Sequence, residues 1–339
     1  MAAAWFEKFE RGADAFDNTT GVTIMAKYRG SLPQLAGRLF LTDGGIETTL
    51  IFHDGLDLPY FAAFHLLRAS NGRAVLARYY EPYIRLAKED GLGFILESPT
   101  WRASSDWGDK LGYSSDEMIE VNRNSIRLML DLRAEHETER TPIVVSGCVG
   151  PRGDGYDPGQ VMTAAEAQAY HAHQIGALAT AGADMVTAIT MTNANEAIGV
   201  VRAAVAAKMP VAISFTLETD GGLPTGQALA DAIGEVDTAT ASAPVYYMIN
   251  CAHPTHFEGA LPEQEAWTRR IRGIRANASR RSHQELNDAP DLDAGDPVEL
   301  ADQYRDLLRR HPQINVVGGC CGTDHRHIEC IRLACRAVA

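Results

Sequence analysis

No apolar run in this chain is long enough to cross a bilayer, so a membrane-spanning helix is not expected. Positive charge is also in short supply, with 31 Lys and Arg against 44 Asp and Glu and a net charge of −13. A surface of that sign repels phosphate backbones and anionic headgroups, which argues against nucleic acid and membrane as partners. The first residues, MAAAWFEKFERGADAF, are charged throughout and lack the apolar segment of a secretory leader, so a cytoplasmic, reducing location is expected. Cysteine is scarce, six in 339 residues. In a reducing compartment each is read as ligand, nucleophile or core residue before disulfide. Finally, no G-x-G-x-x-G opens a helix after the first apolar run. In RLFLTDGGIETTL the glycines precede Glu47, whose charge repels a phosphate, and this disfavours a dinucleotide-binding open sheet.

What the chain does have is alternation. Eight short β-branched runs lie at 38–44, 93–99, 141–147, 183–190, 209–216, 244–250, 271–279 and 313–319. They are nearly continuous in apolar residues, as strands covered on both faces must be. Helical patterns follow them, several ending in a glycine that suits a left-handed cap. Eight such units predict an α/β protein, a single-domain (β/α)8 barrel over residues 31–339. Residues 1–30 are expected to form an N-terminal appendage, partly extraneous because Met25 could itself be a start. The segment 279–296 is polar, acidic and without periodicity, which predicts a surface loop after the seventh strand.

Barrel chemistry gathers at the C-terminal strand ends. Those ends carry Asp43, Glu47, Glu97, Thr100, Trp101, Asn250, Cys251, Cys320 and Cys321. Three thiols from two strand ends in a reducing compartment suggest zinc, which takes sulfur at about 2.3 Å and, with three protein ligands, keeps a fourth position open. Gly318 and Gly319 are expected to let the backbone leave strand geometry so that both adjacent cysteines face one ion. His253, His325 and His327 are close enough in sequence to be considered as ligands, although loop histidines are more often simply solvated. Cys330 and Cys335 sit in a helical tail and are read as packing. Three thiolates outweigh the two charges of zinc, so such a site activates water poorly but strips the proton from an incoming thiol. The natural electrophile for that thiolate is a cationic methyl, on a sulfonium or quaternary ammonium. The faces of Trp101 and Trp107 suit such a cation, though packing explains aromatics there equally well.

These residues resemble a known family. NC-x-x-P (Asn250, Cys251, Pro254) and GGCCGT-x-x-x-HI (Gly318 to Ile328) are similar to the zinc-binding signature of the homocysteine S-methyltransferases. LTDGGIETTL (41–50) resembles the opening D-G-x-x-x-T of that family, and GCVGPRGDG (147–155) its S-V-G-P-x-G loop. The similarity runs from about Leu35 to the last helix. It implies a barrel, zinc held by Cys251, Cys320 and Cys321, and methyl transfer to the thiol of homocysteine, giving methionine. The implied donor is S-methylmethionine, S-adenosylmethionine or a betaine-like compound. By the same resemblance, Asp43 holds the ammonium of homocysteine, and the amides around Gly44 and Gly45 hold its carboxylate. Glu47, Glu97, Thr100, Trp101 and Asn250 complete the expected substrate-binding set. No cobalamin or folate module follows, so a free-standing enzyme is implied, with a small thiol and a cationic donor as partners and a homo-oligomer left open.

Three positions depart from the family pattern. Where E-T-x-P is usual after the fourth strand, this chain has Ile189, Thr190, Met191 and Thr192, and a carboxylate is lost. Ser98, Pro99, Thr100 and Trp101 replace T-N-T-Y after the second strand, and Met248 stands where a glycine is usual. Glu97 is expected to supply the missing carboxylate from another strand end; the competing expectation is an ordinary ion pair with Arg102 or Lys110. The departures leave open another thiol or selenol acceptor, demethylation of an osmolyte with homocysteine as acceptor, or a zinc-binding barrel without catalysis.

Overall fold

The computed structural model describes residues 26–289 and 291–338. Eight parallel strands close into a barrel in chain order. They are β1 Phe40–Leu41, β2 Gly93–Glu97, β3 Ile143–Val149 and β4 Met185–Met191, then β5 Val211–Thr216, β6 Tyr246–Asn250, β7 Ile271–Ala276 and β8 Val316–Gly319. Outside them lie α1 Gly72–Asp90, α2 Ser115–His136, α3 Ala164–Thr180 and α4 Ala194–Ala206, then α5 Leu229–Thr240, α6 Pro297–Arg310 and α7 His325–Cys335. Capping boxes start α2 (Ser114, Glu117) and α3 (Thr163, Glu166), satisfying backbone donors that a helix end leaves unpaired.

All eight expected strands are present, with shifted ends. β1 is two residues long because the chain turns out at Asp43, although Thr42 still donates to Val317. The expected β-then-α repeat fails once. After β6 there is only a short helix, Pro254–Phe257, and 3-10 turns; Gly259 and Pro262 interrupt any longer one. The 279–296 segment is not a plain surface loop. It contains a short capped helix, His283–Asn287, and its residues line the main cavity.

The expected appendage, 1–30, lies mostly outside the described residues. Its last part docks at the N-terminal ends of the strands, where the Tyr28 amide donates to Asp184 and its hydroxyl to Glu137.

Inside the barrel, alternation sorts side chains into layers. Phe40, Ile95, Val144, Met185, Ala212, Tyr246, Met248 and Val316 form an apolar cluster. Met248, the departure from glycine, fills space left by Gly273 on the neighbouring strand, where an added Cβ would lie 2.6 Å from the Met248 Cγ. Two residues further along, β2, β3, β6 and β7 carry Glu97, Ser146, Asn250 and Arg275. The apolar layer therefore gives way to a polar one at the end that holds the site.

Candidate metal centre and substrate pocket

Cys251 follows β6 directly and has a φ of 52°. A left-handed backbone is uncommon for a residue with a side chain and marks a functional constraint when neighbours hold it there. They do so here: Cys251 N–H donates to Arg275, while Asn277 and His283 donate to its carbonyl at 3.1 and 2.5 Å. At the end of β8, Cys320 donates to Ala276, and Gly322 (φ 80°) closes a turn in which Thr323 donates back to Cys320. Gly318 and Gly319 do not act as expected, since neither has a positive φ among the described residues. They permit close approach instead, as a Cβ on Gly318 would lie 1.8 Å from Thr42 Oγ1, and one on Gly319 2.1 Å from Thr323 Oγ1.

This backbone brings the three expected sulfurs together. One Sγ each from Cys251, Cys320 and Cys321 lies within 4.8 Å of the others. Cys251 and Cys320 are joined as a disulfide, with their Cα atoms 5.4 Å apart. A disulfide offers no thiolate, so the form able to take a metal is the reduced one. Tetrahedral zinc places its sulfur ligands about 3.8 Å apart, and the donor set, three thiols and no carboxylate, fits that ion. None of His253, His325 and His327 belongs to this cluster. His253 bonds Thr255, His327 bonds Ala294, and His325 is exposed. Asn250 directs its amide at Cys320 Sγ, 3.9 Å away, and the Tyr156 hydroxyl lies 3.2 Å from Cys321 Sγ.

The sulfurs border a cavity of about 310 Å³ at the C-terminal end of the barrel, within the size range of small-ligand pockets. Its polar part includes an ion pair, with Arg275 donating to Asp43 at 2.7 Å, and Tyr79 also donating to Asp43 at 2.9 Å. Glu97 lines the same cavity, and its Oε2 has no partner. Burial pushes the Glu97 carboxyl up to about 7, with the charge of Arg275 pulling the other way. Glu47, also in the lining, is likewise raised to about 7 by burial. Phe52, Phe61, Trp101 and Ile189 supply apolar wall.

The sequence model of a family described as homocysteine S-methyltransferase matches residues 40–335. The chain belongs to that family. A homocysteine S-methyltransferase 4 of Zea mays is 24% identical, over 89% of this chain and 90% of its own length. A selenocysteine Se-methyltransferase of Brassica oleracea var. italica is 23% identical, over 87% and 88%. The fold is similar to that of the homocysteine methyltransferase MmuM from Escherichia coli. Its oxidised form gives a TM-score of 0.72 at 20% identity, covering 91% of this chain and 99% of MmuM. Its metallated form gives 0.69 at 19%, covering 88% and 98%.

Within this homocysteine S-methyltransferase fold the other expected site residues divide. Asp43, Gly44, Gly45, Glu47, Glu97 and Trp101 line the cavity, whereas Thr100 and Asn250 do not. Thr100 is buried and donates to the Cys148 carbonyl at 2.6 Å. Asn250 is a buried brace: it accepts from Thr190 N–H and Ser214 Oγ and donates to Thr190 Oγ1. It thereby holds Thr190 at φ 65° in the β4 irregularity, at the place where the family carboxylate is missing. The Asp43 charge is already met by Arg275, and the Gly45 amide donates to Thr323, so both are committed within the protein. Glu97 pairs with neither alternative partner, since Arg102 pairs with Asp154 and Lys110 lies over Trp107. Trp107 is outside the lining, and both Arg102 and Lys110 already lie against its ring; the cation-holding role expected for it is not supported.

Arg102, Cys148, Tyr156, Arg275 and His283 line the cavity and were not singled out from the sequence as site residues. Arg275 was legible in principle, because IRGIRA places it two residues after the inward Gly273 of a strand. Tyr156 and His283, whose rings stack at 3.9 Å, lie on two segments far apart in the chain, and nothing in the sequence links them.

Proposed function

We propose that the reduced protein binds zinc through Cys251, Cys320 and Cys321 and transfers a methyl group from a sulfonium or ammonium donor to the thiol of homocysteine. The observation that carries this reading is the convergence of three sulfurs from two strand ends on one cavity of small-ligand size. Membership of the family and the similarity to MmuM, solved in a metallated form, support it. Zinc bound there would supply the charge that keeps a fourth, external thiol deprotonated at neutral pH. The protein's own groups do the rest by positioning. Glu97, buried in the same cavity with its Oε2 unpartnered, receives the ammonium of the acceptor in place of the missing strand-four carboxylate. Asn250 and the neighbours of Cys251 fix the sulfurs in direction. The walls at Phe52, Phe61 and Ile189 keep water from the nucleophile.

The test is zinc-edge X-ray absorption on zinc-loaded protein, with and without homocysteine. Sulfur coordination should rise from three to four when homocysteine is added, and methionine should form when an onium donor follows. An unchanged metal environment refutes the reading. A selenol acceptor is the second reading, favoured by the similarity to a selenocysteine Se-methyltransferase. Competition between homocysteine and selenocysteine for one donor ranks the two.

A further inference from the structure

Two guanidinium groups line the cavity, and they differ in how well their charge is compensated. Arg275 faces the buried Asp43 carboxylate at 2.7 Å and also donates to the carbonyls of Gly44 and Gly319, with only its Nη1 left without a partner. Arg102 is compensated less well. Its side chain is only 6% exposed, yet its polar contacts are the Gly153 carbonyl at 3.2 Å and Asp154 Oδ2 at 3.5 Å. The Nε has no partner. An arginine fork has five N–H donors, and a buried charge is costly while its donors stay unmet. Asp154 compensates weakly, because its side chain is 52% exposed and water screens it.

The guanidinium is nevertheless held rigidly. It lies 4.3 Å from the ring of Trp101 and 3.7 Å from that of Trp107. Stacking of this kind fixes the plane of the fork and prepares it for a planar, two-oxygen anion. It also occupies a face of Trp101, so a donor cation cannot use that face. Among the described residues, the carboxylates already paired with a cavity arginine are Asp43 and Asp154. Glu47 shares the lining and, among the described residues, has no side-chain partner.

We propose that Arg102 is the carboxylate-binding, specificity-determining residue of the donor subsite, so that the methyl donor is an onium compound bearing its own carboxylate. The carboxylate displaces Asp154 from Arg102 and takes up the unmet donors. The positive end of the donor faces Glu47, a cavity carboxyl without a side-chain hydrogen bond. This assignment rests on the methyl-transfer reading for the word donor, but the binding preference it predicts does not depend on turnover.

The experiment is a fluorescence titration of reduced, zinc-loaded protein with S-methylmethionine and with its α-methyl ester, using the two indoles that flank Arg102 as reporters. The acid should bind about 10- to 100-fold tighter than the ester, the range of a hydrogen-bonded charge pair. Arg102→Gln should bring that ratio to about one, and Arg102→Lys should keep part of it, since the charge remains without the fork. Asp154→Asn should raise affinity for the acid by removing the competing carboxylate. If Arg102 only latches the loop through Asp154, Asp154→Asn will instead lower the ratio as Arg102→Gln does, and the proposal fails. It also fails if acid and ester bind alike, or if the acid does not bind. Should Arg102→Gln not fold, Arg102→Lys and Asp154→Asn decide. A protein that prefers the acid but forms no methionine keeps this assignment and loses the methyl-transfer reading. One that makes methionine equally from both loses this assignment alone.

Discussion

Replacing Glu97 by glutamine separates binding from stability, because the two should move in opposite directions. The carboxyl is buried, and its folded value of about 7 stands against an ordinary 4.5. A carboxyl raised by folding keeps its proton in the native state while the unfolded chain has released it. Its contribution to stability is therefore full below pH 4.5 and is lost as pH rises through 7. At 1.36 kcal/mol per unit, ionised Glu97 costs the fold up to about 3 kcal/mol above that range. Glutamine keeps the shape and carries no charge. Urea unfolding from pH 5 to 8 should find wild type and Glu97→Gln close together at the acid end, with the variant more stable at pH 8 by up to that amount. The same variant should raise the KM for homocysteine about 10- to 100-fold, the loss expected for a charged hydrogen bond. An unchanged KM would refute the assignment of Glu97 to the ammonium. Parallel pH curves would refute the claim that burial penalises its charged form.

Cys321→Ser should reduce bound zinc from one to well under one per chain, measured by metal analysis after dialysis. Cys148→Ser, which alters a cavity thiol outside the trio, should leave zinc content unchanged. Asn250→Ala strands the Thr190 amide and Ser214 hydroxyl in the barrel interior, and should cost about 2–4 kcal/mol in urea unfolding. Of the six cysteines, all should react with a thiol reagent in denatured, zinc-loaded protein. Only four should react after chelation and air oxidation close the Cys251–Cys320 bond; six in both cases would mean that the bond does not form.

The strands were readable because burial on both faces leaves a dense apolar signal, and the cysteines because a rare residue clustered at strand ends stands out. Two kinds of feature were hidden. One is pairing across the barrel: Asp43 reads as a free carboxylate until Arg275, 232 residues away, is seen to neutralise it. The other is what a glycine is for. GGCC suggests conformational freedom, yet Gly318 and Gly319 serve to let Thr42 and Thr323 come close, a demand set by distant residues. The strained backbone sits one position past the strand end, on Cys251, where no propensity rule places it. Segment 279–296 looked unstructured because its helix is one capped turn, and it is held by contacts of His283 with Cys251 and Tyr156 rather than by periodicity.

The sulfur trio follows the ends of β6 and β8, and Glu97 ends β2, of one closed ring, and a closed ring does not stretch to suit its guest. If Glu97 holds the ammonium and the trio holds the metal, as proposed, the gap between the two anchoring points would work as a ruler for the acceptor. An amino acid one methylene shorter, tethered at its ammonium, would then hang short of the seat for its sulfur. On that proposal, length would favour homocysteine over the shorter selenocysteine.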